Sequence, residues 1–260
     1  MSTPARIVSL VPSLTELLFA LDLGDQVVGR TGFCIHPRPQ VRAVPKVGGT
    51  KTVNVEAVLA LSPTHLLVNI DENEKPTVER LAAHIPQVIV THPCRVADLP
   101  DLFSLLGKTF DRKAQSARLT ARLEDAQAAI ARRQWRPLRV VYLIWKDPWM
   151  TVSADTFIAD MLRQVNMEVM VPDDPRRYPE IEWRSLSPSL ADRVLFSSEP
   201  YRFRERDGLA FASEHGLEPM RCLLIDGEMT SWYGPRAIDG LRYLEQLRAA
   251  IEEQGHGMED

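Results

Sequence analysis

The sequence is poor in cysteine and carries no excess of positive charge, and both features limit the classes of protein to which it can belong. Its three cysteines among 260 residues are too few, and odd in number, for the disulfide framework that small secreted domains need. Such sparse use of cysteine is typical of a reducing compartment. The formal net charge of -4 removes the electrostatic argument for nucleic acid, whose binding proteins usually have a basic surface. We therefore expect no nucleic-acid partner.

The sequence also lacks an apolar run long enough to cross a membrane. Its longest apolar stretch, 7–23, is interrupted by Pro12, Glu16 and Asp22, whereas a membrane helix needs about 20 mostly apolar residues. The same stretch is a poor signal peptide, because Glu16 lies within its apolar part and no small-residue cleavage site follows. We expect a protein that is not integral to a membrane, cytoplasmic as the chain stands and periplasmic if its natural precursor carries a signal.

Catalytic signatures are a third absence. The sequence contains no G-x-S-x-G, no G-x-x-x-x-G-K-[ST] and no H-E-x-x-H pattern. The segment 48–51, Gly-Gly-Thr-Lys, shares part of a phosphate-binding loop but lacks the spacing of its first glycine. We therefore expect that the protein is not an enzyme.

What the sequence does contain is a regular alternation of apolar strands and short helices. Strands are predicted at 6–11, 26–29, 65–69, 87–91, 138–144, 193–197 and 221–225. Runs such as Leu66-Leu67-Val68 are continuously apolar, which favours the strands of a mostly parallel sheet that is buried on both faces. Between two such α/β blocks, the stretch 99–133 has a helical pattern with a turn near 107–112.

This alternation predicts an α/β fold with two lobes, each a mostly parallel sheet flanked by helices, joined by one long interlobe helix. The expected domains are an N-terminal α/β lobe at 1–110, a linking helix at 111–136 and a C-terminal α/β lobe at 137–260. The linking helix is amphipathic, with apolar residues three or four positions apart at Leu119, Leu123, Ala126 and Ile130. An ordinary surface helix of one larger domain is the alternative.

Aromatic residues follow several of the predicted strands. Ligands of parallel α/β sheets lie outside the carboxyl ends of the strands, so these positions form the candidate site. In the second block they are Trp145, Trp149, Tyr201, Phe203, Trp232 and Tyr233. Such rings suit a large flat or apolar ligand, because each buries much area at little entropy cost. The alternative is that they only cover the core beneath. We favour the ligand, because the clustering follows three separate strands.

Short motifs along the chain carry a family resemblance. They are the strand–Pro-Ser–Thr-Glu opening at 6–16, Asn-Val-Glu-Ala-Val-Leu-Ala-Leu-Ser-Pro at 54–63, Asp-Thr-Phe-Ile at 155–158 and Tyr-Gly-Pro-Arg at 233–236. Together they resemble the helical-backbone (class III) solute-binding proteins of ABC importers, in the branch that binds cobalamin and iron chelates. The resemblance covers nearly the whole chain. It implies a protein that captures a corrinoid (cobalamin-like) or other metal chelate in an aromatic cleft between its lobes, with an ABC permease as partner.

The resemblance also implies roles for individual residues. The residues expected to contact the ligand are Pro12, Phe33, His36, Gly49, Trp145, Trp149, Tyr201, Trp232 and Tyr233. Glu56 matches an acidic residue that docks onto arginines of the membrane permease. The corresponding position in the other lobe falls near Ser231, where the residue is not acidic. No cofactor is required, because the corrinoid or iron chelate is the bound ligand.

Two short clusters of cysteine and histidine leave three interpretations open. Cys34 and His36 follow one first-lobe strand, and His92 and Cys94 follow another. Two cysteines and two histidines could form a tetrahedral zinc site, although the C-x-H and H-x-C spacing is unlike that of structural zinc sites. One histidine could instead ligate the metal of a bound chelate, or the cysteines could be small buried apolar residues. The zinc interpretation gives the alternative function, a cytoplasmic cofactor-handling protein or metal-binding enzyme.

Overall fold

The computed structural model describes residues 4–181, 183 and 190–256. Their contacts divide the chain into two compact units. The first unit comprises Met1–Pro93, Ala97–Arg122 and Tyr233–Arg236, and the second comprises Cys94–Val96, Leu123–Trp232 and Ala237–Asp260. A short segment from each half of the sequence therefore belongs to the unit that is built mainly by the other half.

The first unit is built on a parallel sheet with the strand order β2-β1-β3-β4. Its strands are β1 (Ile7–Ser9), β2 (Val27–Arg30), β3 (His65–Asn69) and β4 (Gln87–Thr91). Its helices are α1 (Pro12–Ala20), α2 (Val55–Ala60), α3 (Lys75–Ala82) and α4 (Leu99–Thr109). In the centre of the sheet Val8 pairs with Leu66, and both side chains are fully buried. This burial explains the continuously apolar strands.

The second unit repeats the same arrangement with the strand order β6-β5-β7-β8, again all parallel. Its strands are β5 (Leu138–Leu143), β6 (Met167–Val169), β7 (Arg193–Ser197) and β8 (Cys222–Ile225). Its helices are α6 (Phe157–Arg163), α7 (Glu205–His215), α8 (Gly227–Ser231) and most of α9 (Pro235–His256). The fold class predicted from the sequence, two parallel-sheet α/β lobes flanked by helices, is confirmed.

The long helix α5 (Lys113–Ala131) is shared by the two units, which divide between Arg122 and Leu123. Its apolar stripe is buried as the spacing predicts, at Leu119, Leu123, Ala126 and Ile130. The predicted turn near 107–112 is also present, because α4 ends at Thr109 and α5 begins at Lys113. The domain boundaries at 110 and 136 stay a prediction.

The ends of the helices follow from local sequence. The Asn54 side chain accepts a hydrogen bond of 2.9 Å from the Ala57 amide, which caps α2. Thr156 caps α6 in the same way through the Ala159 amide, at 3.3 Å. Helix α7 ends at Gly216, whose φ of 63° lies in the left-handed region that glycine adopts without strain. Among the described helices, none combines the length and the apolar character that a membrane crossing requires.

The predicted elements differ from the structure at two places that matter for the site. Strand β6 and helix α8 were not predicted. β6 has three residues, one of them Glu168, and is too short to show a periodic pattern. Helix α8 is also short, and it follows directly on a cap at Asp226, whose side chain accepts from the Glu228 amide at 3.0 Å.

Candidate functional site

In the first unit, Phe33 and Gly49 are brought together beyond the carboxyl end of β2. The Gly32 amide donates a 2.7 Å hydrogen bond to the carbonyl of Gly48, which joins the two loops. A Cβ atom added to Gly49 would lie 3.4 Å from the Phe33 ring, so the ring and the glycine backbone are neighbours. The Phe33 side chain is 62% exposed. It therefore presents an apolar ring to whatever lies beyond this edge of the sheet.

Asn73 holds the second of these loops in place, and the sequence did not single it out. Its Nδ2 group donates to the carbonyl of Thr50 at 3.0 Å and to that of Leu10 at 3.3 Å. Its Oδ1 atom accepts from the Asn69 amide at 2.9 Å, at the end of β3. One buried amide side chain thus ties together the exits of β1 and β3 and the loop of Gly49. The signal in the sequence was only a polar residue shortly after a strand.

Tyr233 belongs to the first unit, although its position in the sequence follows the last strand of the second. Its hydroxyl donates a 3.0 Å hydrogen bond to Glu72 Oε1. The side chain is buried, and burial together with the negative charge of Glu72 raises the pKa of the phenol above its ordinary value. Three residues later, Arg236 makes a two-pronged ion pair with Glu16 on α1, at 2.9 and 2.7 Å. Polar contacts therefore hold the segment 233–236 in the first unit.

Pro12 is buried as well and lies at the first position of α1. A proline is favourable there, because its missing N–H would have no partner in the helix. Pro12 thus fixes the backbone where β1 leads into α1. The exposed ring beyond the carboxyl ends of these strands is that of Phe33. His36 lies half-buried in the loop that follows Phe33. The contacts of Pro12 and His36 with a ligand stay a prediction.

The cysteine and histidine residues are not assembled into a metal site within the described residues, where no group of three or more His, Cys, Asp or Glu side chains is arranged to hold a metal ion. Cys34 is fully buried between two hydroxyls, with Thr15 Oγ1 at 3.1 Å and Thr31 Oγ1 at 3.2 Å. Burial raises the pKa of this thiol, which opposes the thiolate form that binds metals. Cys34 therefore fits the third interpretation, a small buried residue.

The other members of the predicted set have their own neighbours. His92 Nε2 lies 3.4 Å from Asp71 Oδ2 in the first unit. Cys94 belongs to the second unit, where Arg177 Nη2 lies 3.6 Å from its sulfur. The contact of His92 with a carboxylate is the kind that orients an imidazole.

In the second unit, Trp145 and Tyr201 form an aromatic pair in which Trp145 is exposed and Tyr201 is partly buried. Trp145 follows the end of β5 and Tyr201 follows the end of β7, and adjacent parallel strands bring their exits to one edge. The two rings meet edge to face, with their centroids 5.7 Å apart. Trp145 is 40% exposed and Tyr201 is partly buried against Phe203. These two predicted ligand residues lie at the same place and present their rings at the surface.

Trp149 lies four residues after Trp145 and has a different environment. Its ring stacks on Phe203 at 5.8 Å with an interplanar angle of 7°, and it meets Phe211 edge to face at 5.4 Å. Phe196 of β7 lies 6.3 Å away, again edge to face. These partners belong to the buried core of the second unit. The alternative that the rings cover the core therefore describes Trp149, whereas contacts of Trp145 and Tyr201 with a ligand stay a prediction.

Trp232 is buried, and its indole N–H donates a 2.7 Å hydrogen bond to Oε1 of Glu199. The hydroxyl of Ser231 donates to the same oxygen at 2.9 Å. Burial raises the pKa of the Glu199 carboxyl; the hydrogen bonds from Ser231 and Trp232 oppose this rise, and the nearby charges of Glu228 and Asp226 add to it. The sequence offered no reason to place Glu199 at the site, because a glutamate in a charged stretch has no spacing that distinguishes it.

Glu56, the residue expected to dock on a permease, lies in the first turn of α2. Its carboxylate is exposed and lies 3.7 Å from the guanidinium of Arg80, which is also exposed. Exposed ion pairs of this length contribute little to stability, so this pair does not prevent Glu56 from meeting another cation. Ser231, which was expected near the corresponding position of the second unit, donates its hydroxyl to Glu199.

Comparison with known proteins identifies a family and a shared fold. The profile of the periplasmic binding protein family matches residues 7–198. The vitamin B12-binding protein of Pectobacterium carotovorum is 23% identical over 204 residues, which cover 76% of this chain and 72% of that protein. An uncharacterized ABC transporter substrate-binding lipoprotein of Bacillus subtilis, YvrC, is 24% identical over 261 residues, 94% of this chain and 79% of that protein.

A solved structure extends the comparison to the fold. The periplasmic heme-binding protein RhuT of Roseiflexus sp. RS-1, in its apo form, superimposes with a TM-score of 0.82 at 21% identity, over 95% of this chain and 98% of that one. At this level of identity the match shows a common fold. The sequence match covers 63% of the length of the vitamin B12-binding protein of Yersinia pestis.

Proposed function

Because the chain belongs to the periplasmic binding protein family, we propose that it captures a flat metal chelate of the corrinoid or heme type and delivers it to an ABC importer. The proposed activity is capture and not catalysis. We place the ligand at the carboxyl ends of the parallel strands, where ligands of such sheets bind. The proposed location is outside the cytoplasm, in keeping with the family's description.

The observation that carries this proposal is the exposure of aromatic rings at these strand ends. Phe33 in the first unit and Trp145 in the second leave 62% and 40% of their side chains exposed. Large rings are costly to expose to water, since each buries much apolar area when it is covered. Trp145 is held edge-on by Tyr201, so its ring is already oriented before a ligand arrives. Flat macrocycles with apolar faces match such rings.

Relatives support the choice of ligand class. One curated relative carries the name vitamin B12-binding protein and one structural neighbour the name heme-binding protein. Corrinoids and hemes are both metal chelates built on a broad macrocyclic ring. The class of ligand is therefore the property that the two names share. The finer choice between the two depends on the polar groups around the rings.

Delivery to a permease is the second part of the proposal. One relative is named as an ABC transporter substrate-binding lipoprotein. Glu56 is the proposed contact in this chain, because its carboxylate is exposed at the start of α2. The negative charge at a helix start is stable there, since it faces the positive end of the helix dipole. A permease surface with exposed arginines would complement it.

The test is a spectral titration of the purified protein with cyanocobalamin and with hemin, beside the variants Phe33→Ala and Leu209→Ala. Leu209 on α7 is 50% exposed and provides the matched loss of an exposed apolar side chain. We expect saturable one-to-one binding of at least one chelate, weakened about tenfold or more by Phe33→Ala and unchanged by Leu209→Ala. Absence of binding to both chelates, with bound zinc in the purified protein, would overturn the proposal and favour a metal-binding function.

A further inference from the structure

A tight turn at 48–53 lies against the ring of Phe33, the exposed side chain beyond β2. The turn closes on itself, since the Gly49 amide donates to the carbonyl of Thr52 at 3.0 Å. Gly48 opens it with a φ of 107°, a backbone conformation that glycine adopts without strain. The Phe33 ring lies close to the backbone of Gly49, because a Cβ atom added there would lie 3.4 Å from the ring. The position of this segment, the 48–53 turn, therefore affects the position of the ring.

The side chain of Asn73 fastens the tip of the 48–53 turn to the sheet. Its Nδ2 group donates to the carbonyl of Thr50, at the tip, at 3.0 Å, and to the carbonyl of Leu10, directly after β1, at 3.3 Å. Its Oδ1 atom accepts from the Asn69 amide at 2.9 Å, and its own backbone amide donates to the carbonyl of Asn69 at 3.0 Å. Asn69 is the last residue of β3. The turn is thus joined to the ends of two neighbouring strands through one side chain.

An amide suits this set of contacts better than the other side chains of similar size. Two donor contacts and one acceptor contact use the NH₂ group and the oxygen of the same short side chain. An aspartate would direct an oxygen at the carbonyls of Thr50 and Leu10, where the structure has a donor. Asn73 is only 9% exposed, so a polar contact that is lost at this depth is costly. The contacts therefore hold the turn in one arrangement.

We infer that Asn73 is a positioning residue for ligand capture, which acts through the 48–53 turn and holds the Phe33 ring in the arrangement that receives the chelate. A ring whose surroundings are fixed before binding loses less conformational freedom when a ligand covers it, and this raises affinity. Asn73 is buried beneath the turn and acts on the ligand through Phe33. This inference rests on the proposed function, and it adds the residue that prepares the exposed ring of the first unit.

The experiment is a double-mutant cycle between Asn73 and Phe33, with chelate affinity as the readout. The wild type, Asn73→Ala, Phe33→Ala and the double variant are titrated with cyanocobalamin and with hemin, and urea denaturation shows that each is folded. We expect Asn73→Ala to weaken binding about fivefold to tenfold, but less than about twofold when residue 33 is already alanine. An equal loss in both backgrounds, or an unchanged affinity in folded Asn73→Ala, would overturn the inference.

Asn166→Ala is the matched control for lost stability. The Nδ2 group of Asn166 donates to the carbonyl of Trp135 at 2.9 Å in the second unit, so this variant also loses a hydrogen bond from an asparagine to a carbonyl. The 48–53 turn belongs to the first unit. We expect Asn166→Ala to lower the urea midpoint and to leave chelate affinity within about twofold of the wild type. A loss of affinity as large as that of Asn73→Ala would attribute both losses to destabilisation and overturn the inference.

A measurement on the wild type tests the inference even if Asn73→Ala does not fold. Hydrogen exchange of the Asn69 and Gly49 amides reports whether their hydrogen bonds are present before binding. We expect both amides to be protected without chelate. Fast exchange of both that becomes slow only with bound chelate would overturn the inference and leave the proposed function intact. Failure of the wild type to bind either chelate would reject the proposed function and this inference with it.

Discussion

Alanine substitutions at Trp145 and Trp149 should distinguish the proposed ligand-contacting ring of the second unit from a ring of its core. Trp149 has ring contacts with Phe203, Phe211 and Phe196 between 5.4 and 6.3 Å. Removing a fully buried aromatic side chain costs about 3–5 kcal/mol of folding free energy. Because Trp149 is only partly buried, we expect Trp149→Ala to lower the free energy of unfolding by about 2–4 kcal/mol.

Trp145 should behave in the opposite way. It is 40% exposed and its ring contact is the edge-to-face pair with Tyr201, an interaction worth about 0.5–1.5 kcal/mol. Trp145→Ala should therefore lower the free energy of unfolding by about 1 kcal/mol. Its effect on chelate affinity should be larger, a loss of about tenfold or more, since a central aromatic contact would be missing from the complex.

The assay combines urea denaturation, followed by far-ultraviolet circular dichroism, with chelate titration of the folded variants. A change of midpoint at constant slope reports stability alone. The reasoning would be refuted if Trp145→Ala destabilised the protein as much as Trp149→Ala. It would also be refuted if Trp149→Ala abolished binding while its unfolding midpoint stayed that of the wild type.

Two further predictions concern the Glu199 loop. Burial raises the pKa of Glu199, so its contribution to stability is complete below the pKa of an unfolded glutamate, about 4.3, and is lost as the pH rises through its pKa in the folded protein. Glu199→Gln should therefore be more stable than the wild type at pH 8 and equal to it near pH 4. Thermal melting of both proteins across this pH range measures the difference. A difference in melting temperature that does not depend on pH would contradict this prediction. Gly227→Ala should cost about 1–3 kcal/mol, because its Cβ would lie 2.5 Å from Glu199 Cγ. Chelate affinity should fall as well in this variant, and an unchanged urea midpoint would contradict the packing argument.

Much of the fold could be predicted from the sequence, because its signal is local. The strands at 65–69, 87–91 and 193–197 coincide with the structure. Their runs of branched and apolar residues mark strands that are covered on both faces. The family expected from the motifs is confirmed by the match over residues 7–198. Strand β6 and helix α8 were missed, since elements of three and five residues are too short to show a period.

The positions of some residues of the candidate site could be predicted. The rule that ligands lie beyond the carboxyl ends of parallel strands located Phe33, Trp145 and Tyr201, whose rings the structure places at those ends. The same rule could not distinguish Trp145 from Trp149, because both follow β5 and only packing decides which ring turns inward. It also could not give the role of Asn73, whose hydrogen-bonding partners Leu10 and Thr50 are far away in sequence.

The carboxyl of Glu199 combines a structural contact with an energetic cost. A glutamine there could accept the same hydrogen bond from Trp232 without the cost of burying a charge. Burial raises the pKa of Glu199, and the charges of Glu228 and Asp226 add to this rise, so all three increase the cost of ionising the carboxyl. Groups that cost stability are retained where they serve function. If anchoring Trp232 were the whole role of this residue, Glu199→Gln would change only stability, whereas a changed chelate affinity of the folded variant would show that the carboxyl also acts on the ligand.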